Sequence, residues 1–231
     1  METTSLGHIL IESRKTILDL LELPHRGYDG SPYRKMIGPE LNKFANTPEA
    51  LRMTLKHKTD PTKQAIVEYV FTNIKPAVGA GEFVRRLLEE PAESVSKAQR
   101  ATMLHSLDPA TTEVIVIYNS KVHSEDIESY NKGALEAWSK HKFRIQFFHM
   151  PRLVSNPLKH ILQPKFEVVP HEEHAAILQE WFCRSKTQFP IIKFHDDAVA
   201  RCLGLVPLDI VKITAASPTA GEYVKYRVCA P

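Results

Sequence analysis

The side chains able to do chemistry are few, and their spacing does not suit it. Cys183, Cys202 and Cys229 lie 19 and 27 residues apart, with no Cys-x-x-Cys pair. Structural zinc needs closely spaced thiolates or imidazoles to close a tetrahedron. His171-Glu172-Glu173-His174 sets two imidazoles at i, i+3, whereas the zinc-hydrolase pattern needs i, i+4 with a general base between; it reads as the exposed polar first turn of a helix. Val78-Gly79-Ala80-Gly81 lacks the third glycine of a dinucleotide fingerprint and the Gly-Lys-Ser/Thr of a P-loop, so it reads as a plain turn. No Gly-x-Ser-x-Gly elbow occurs. Cys183 follows Trp181-Phe182 and reads as packing, not as an activated nucleophile. No Asp or Glu has Lys two places later. The nearest case is Glu12-Ser13-Arg14, which argues against nucleases built on a D/E-x-K tripeptide. No metal and no cofactor is expected, and an unrecognised hydrolase would need an acid/base pair that these residues do not supply.

The elements around these residues are easier to read. Leu6, Ile9, Leu10, Ile17, Leu20 and Leu21 recur at helical spacing until Pro24. His25–Pro39 is a Gly/Pro-rich loop. A second helix is expected from an N-cap at Thr47, with Pro48 at N1, through Leu51 and Leu55 to Asp60-Pro61. Ala65–Phe71, Glu113–Tyr118 and Phe143–Phe148 are expected strands, the second a compact apolar run suited to burial in a sheet. Helices are expected over 82–90 and 92–106, around Pro91, and from Ser124 with Ile127, Tyr130, Ala134 and Trp138 on one side.

Pro151–Pro164 reads as a connector. Beyond it the spacing predicts a strand Phe166–Val169, a helix His171–Arg184, a strand Pro190–Phe194 and a short helix Asp196–Leu203 ended by Gly204. A hairpin follows, Asp209–Ala215 and Glu222–Val228, with Gly221 in the loop free to take positive φ. Tyr223 and Tyr226 fall on opposite faces of the second strand, so only one can enter a small core.

The chain has 231 residues and a formal charge of +3. One large or two small domains of roughly 100–200 residues fit that length. From His160 onward eight basic residues balance eight acidic ones, so the excess lies earlier. This balance permits a polyanion neighbour without demanding one. No apolar run approaches the ~20 residues of a membrane span, no secretory signal is visible at Met1–Gly7, and three cysteines suit a reducing compartment.

One stretch carries a specific pattern. Asp197-Ala198-Val199-Ala200-Arg201-Cys202-Leu203-Gly204 is followed by Val211-Lys212-Ile213, then by Ser217-Pro218-Thr219-Ala220-Gly221-Glu222-Tyr223-Val224-Lys225-Tyr226-Arg227. This resembles the C-terminal signature of the fifth shared subunit of eukaryotic nuclear RNA polymerases, a family with an archaeal counterpart that lacks the N-terminal domain. Glu167-Val168-Val169-Pro170, Arg14-Lys15-Thr16-Ile17 and Arg26-Gly27-Tyr28 resemble further family segments. The resemblance implies an α/β N-terminal jaw domain over 1–157 and a small α+β C-terminal assembly domain over 158–231. It implies a non-catalytic structural subunit in the nucleus or nucleolus, docked on the largest subunit, with the jaw beside downstream duplex DNA. The interface residues so implied are Arg201, Gly204, Lys212, Thr219, Gly221, Tyr223, Tyr226 and Arg227; the DNA-proximal ones are Lys121, His123 and Ser124. The family's T-P-S-A loop aligns with His123-Ser124-Glu125-Asp126, whose two acids would repel phosphate. Its Y-F is Cys202-Leu203, its K-R-G-Q turn is Val206-Pro207-Leu208-Asp209 and its R-P-S-E is Ala215-Ala216-Ser217-Pro218. These departures suit a divergent paralogue dedicated to one polymerase class. The alternative is a free-standing nucleic-acid-binding or transcription-adaptor protein with the same fold.

Overall fold

A computed structural model describes residues 6–35, 48–71, 108, 110–119 and 124–231. The expected turn at 79–81 and the helices over 82–90 and 92–106 lie outside the described residues. The chain divides into two compact units, Met1–Ser155 and Asn156–Pro231.

In the first unit, helix α1 (Leu6–Leu21) buries Leu10, Ile17, Leu18, Leu20 and Leu21, as its apolar spacing requires. Arg14 shares that buried side because its Nη1 donates to the Leu51 carbonyl at 2.9 Å, which offsets part of the cost of removing a cation from water. After α1 the chain turns on Gly27 (φ 65°), where an added Cβ would lie 2.6 Å from His57 Nε2. Tyr28 then bridges to His57. Short helices α2 (Ser31–Arg34) and α3 (Pro48–Leu51) precede strand β1 (Met53–Lys56).

The helix expected from Thr47 to Asp60 is therefore corrected. It closes at Leu51, and Met53 and Leu55 are buried while Thr54 and Lys56 are exposed. That two-residue alternation matches a strand with one covered face, and it overrides the i, i+4 spacing of Leu51 and Leu55. Thr47 lies outside the described residues.

β1 pairs antiparallel with β2 (Gln64–Val70). β2 pairs parallel with β3 (Thr112–Tyr118), and β3 pairs parallel with β4 (Arg144–His149). All seven residues of β3 are buried, as an apolar central strand in a parallel arrangement should be. Helix α4 (Ser124–His141) covers the sheet through Tyr130, Ala134 and Ala137, which pack with Val114, Val116, Phe143, Ile145 and Phe147. Trp138 is only half-buried, and Ala137 takes the inner position expected of it. An ion pair is buried with this sheet: Arg26 donates to Glu113, their side chains 1% and 3% exposed.

The second unit holds a four-stranded sheet in the order β5-β7-β8-β6, from Lys165–Val168, Ile210–Ser217, Gly221–Ala230 and Ile191–Lys193. β5 and β8 run antiparallel to β7, and β6 runs parallel to β8. Helices α5 (His174–Glu180) and α6 (Ala198–Leu203) complete the unit. Asp197 caps α6 by accepting from Val199 N at 2.7 Å and Ala200 N at 3.1 Å. Gly204 ends it at φ 69°, with Leu205 N donating to Ala200 O and Gly204 N to Arg201 O, the two bonds of a Schellman close.

The helix expected over His171–Arg184 is also shorter. Its first turn is a 3-10 turn, and α5 stops at Glu180. Phe182, at φ 52°, takes the left-handed place that glycine takes after α6. Phe182 N donates to Gln179 O and Cys183 N to Leu178 O. Ser185 and Gln188 then form a capping box that starts a separate turn. His174 is not part of an exposed polar turn: it is buried, with Nε2 3.1 Å from the Val169 carbonyl, while His171 stays exposed.

Candidate functional site

Six of the eight expected interface residues fall on the β7–β8 hairpin. The strands pair from Ile210↔Val228 to Ser217↔Gly221. Gly221 sits at φ 74° at the turn, where a Cβ would meet nothing within 4 Å, so the position is set by backbone conformation alone. Thr219 is exposed in the loop, its Oγ1 3.4 Å from Ser217 Oγ. Gly204 ends α6, as described, and Arg201 lies in its last turn, on a different element from the hairpin.

The two tyrosines divide as their parity requires. Tyr226 packs its ring edge-on to Trp181 at 5.4 Å and near Phe189 at 6.0 Å, against a core of Val169, Ile177, Ile210 and Val228. Burial, then the charges of Glu180 and Glu173, push its phenol pKa up. Tyr223 points to the other face and is 43% exposed, with Lys225 Nζ 5.4 Å from its ring centroid. Lys212 pairs across from Tyr226, and Arg227 donates from Nη1 to the Ile191 carbonyl at 2.9 Å.

The main chain of β8 has two sides. Cys229 N donates to Asp209 O, toward β7, while Val228 N donates to Pro190 O, toward β6. Since backbone groups alternate in direction along an antiparallel pair, Glu222, Val224 and Tyr226 direct theirs away from β7. β6 covers only Val228–Ala230 of that side. Continuing the parallel register would set the nitrogen of residue 190 against the Tyr226 carbonyl, and Pro190 has no N–H to give.

Several features here had no signal in the sequence. Trp181, Phe182 and Ile191 are exposed apolar side chains, Phe182 at 95%. His195 is buried at φ 61° with its ring 3.8 Å from that of Phe194. Burial, then the nearby charge of Arg201, hold its pKa down to about 3, so it is neutral. Cys183 is half-buried against the core and Cys202 and Cys229 are buried; burial pushes the Cys229 thiol up to about 12. Among the described residues no three His, Cys, Asp or Glu side chains come together as a metal site. No described helix is long and apolar enough to cross a membrane. Of the expected DNA-proximal residues, Lys121 and His123 lie outside the described residues, and Ser124 opens α4.

The site is thus an exposed hairpin rich in main-chain groups, aromatic surface and cations, which is the chemistry of binding. Comparison with known proteins gives the class first: residues 155–229 match the family described as RNA polymerase Rpb5, C-terminal domain. A relative from Dictyostelium discoideum, subunit rpabc1 of DNA-directed RNA polymerases I, II and III, is 29% identical over 95% of this chain and 96% of its own length. Subunit 5C of DNA-directed RNA polymerase V from Arabidopsis thaliana is 29% identical over 85% of this chain and 70% of its own. Subunit Rpo5 of the RNA polymerase of Archaeoglobus fulgidus is 48% identical over 30% of this chain and 88% of its own. The chain belongs to the subunit 5 family of DNA-directed RNA polymerases.

Proposed function

We propose that this chain is a non-catalytic structural subunit of a nuclear DNA-directed RNA polymerase. In this reading the second unit is an assembly domain docked on the largest subunit, through the β7–β8 hairpin and the end of α6. The first unit is a jaw beside downstream duplex DNA, and Lys121, His123 and Ser124 are its DNA-proximal residues. The observation that carries the reading is that likeness to polymerase subunits from two eukaryotes, over 95% and 85% of this chain, coincides with a closer match of the second unit to an archaeal subunit. The departures from the family signature at Cys202-Leu203 and Val206–Asp209 support a role dedicated to one polymerase class, in the nucleus or nucleolus.

The test is to affinity-tag the full chain and identify the large subunits that copurify. Recovery of the largest subunit of one polymerase class supports the reading. Recovery of several classes refutes the dedicated role. Elution of the native protein near 26 kDa, without large subunits, favours the free-standing adaptor.

A further inference from the structure

We infer that the open edge of β8, Glu222–Tyr226, is completed by an extended segment of the partner polypeptide, which adds a fifth strand to this sheet. The inference rests on the proposal that the second unit docks on another subunit, and it specifies how. The C=O of Glu222 and the N–H and C=O of both Val224 and Tyr226 point away from β7. Among the described residues no backbone hydrogen bond reaches them, while Val228 and Ala230, on the same side, are used by Pro190 and Phe194. Alternating donors and acceptors along an extended edge are matched by another extended main chain. Among the described residues Pro190 ends the chain's own coverage of that side, and Glu222, Tyr223 and Val224 are exposed.

The flanking side chains define what such a segment carries. One face of the edge presents Val224 and Tyr226, with Lys212 across from the tyrosine on β7, Trp181 against it and Glu173 and Glu180 nearby. The other presents Tyr223, Lys225 and Arg227. Side chains of an added strand alternate between the faces with period two. Apolar residues therefore belong against Val224 and Trp181, where the two glutamates disfavour acids. Acidic residues belong against Lys225 and Arg227. The occupant is a partner segment of alternating apolar and acidic residues, because extended main chain matches the edge's alternating donors and acceptors and nucleic acid does not.

The experiment compares tagged full-length wild type, Val224→Pro and Lys225→Glu in recovery of polymerase large subunits. Val224→Pro removes an outward N–H without touching the ladder to β7. It should lower recovery roughly tenfold, with an unfolding midpoint close to wild type, and Lys225→Glu should lower recovery in the same direction. Recovery of Val224→Pro at the wild-type level overturns the added strand while leaving the polymerase reading intact. A wild type that recovers no large subunit overturns both. Should Val224→Pro fail to fold, residue-resolved hydrogen exchange on the wild type decides, free and in the purified assembly. Exchange of the Val224 and Tyr226 amides slowed about tenfold or more by assembly supports the strand. Unchanged exchange, or protection abolished by nuclease treatment, refutes it.

Discussion

Replacing Glu113 by leucine should bring the first unit close to unfolding, and replacing Arg26 at the same time should rescue it. The two side chains are 1% and 3% exposed and paired directly, with Gln146 Oε1 at 3.4 Å from Arg26 and Arg144 Nη1 at 3.9 Å from Glu113. Tyr28 adds its hydroxyl to the same carboxylate; burial first, and then the Glu113 charge, push the Tyr28 pKa up. Glu113→Leu leaves the guanidinium buried without its counter-ion, a change that costs about 3–5 kcal/mol. Native domains hold only about 5–15 kcal/mol in all. In Arg26→Met/Glu113→Leu no charge is stranded, and Arg144, a third exposed, turns to water. The double variant should therefore regain most of the loss, with a coupling of about 2–3 kcal/mol. Trp138 lies in α4 of the first unit, so urea unfolding followed by its fluorescence in a Trp181→Phe background reads this unit. With a urea dependence of about 2 kcal/mol per molar, the single variant's midpoint should fall by roughly 1.5–2.5 M. A single variant within about 1 kcal/mol of wild type, or a double variant no better than the single, would refute the reasoning.

Three further outcomes follow from the second unit. His195 has its folded pKa held down to about 3, below an unfolded value near 6.5, so the unfolded chain takes the proton more readily. Its stabilisation is complete above pH 6.5 and is lost as pH falls toward 3, at about 1.4 kcal/mol per pH unit. Denaturant titrations of wild type and His195→Gln between pH 7 and 4.5 should differ by that slope, and identical slopes would count against it. Phe182→Gly should stabilise the unit by about 1 kcal/mol, because glycine adopts the left-handed conformation freely; a lower melting temperature would contradict this. Gly221→Val should lose about 1–2 kcal/mol in thermal unfolding and weaken incorporation, whereas Gly221→Asn should lose less. Only backbone strain separates them, since the site is open.

What could be read in advance depended on how local its cause was. The run Val114–Tyr118 announces a buried strand, because burial on both faces leaves it apolar throughout, and only Thr112 and Glu113 at its start are polar. Gly204, Gly221 and the parity of Tyr223 and Tyr226 follow from a few neighbouring residues, and each is found as expected. β1 was hidden because four residues of alternation sit inside a longer stretch with helical spacing. The Arg26–Glu113 pair joins residues 87 positions apart, which no local pattern records. The left-handed Phe182 and His195 were invisible for another reason: phenylalanine and histidine carry no preference for that conformation strong enough to reveal it. The hairpin's conformation was therefore legible, but the open side of β8 was not, since it depends on where the distant β6 stops.

The pairing of β2 with β3 joins residues 48 positions apart, whereas β7 and β8 meet across three loop residues. Closing a long loop must precede any gain from the contacts it brings, so the two halves of this polypeptide acquire order on different timescales. The C-terminal portion, though synthesised last, nucleates locally and fast once it leaves the ribosome. The N-terminal portion emerges first but must wait for β3 before its central pairing can begin. During translation, Gln64–Val70 can pair early with β1 on one edge, while its other edge stays unpaired until β3 is made, an opening for misassociation.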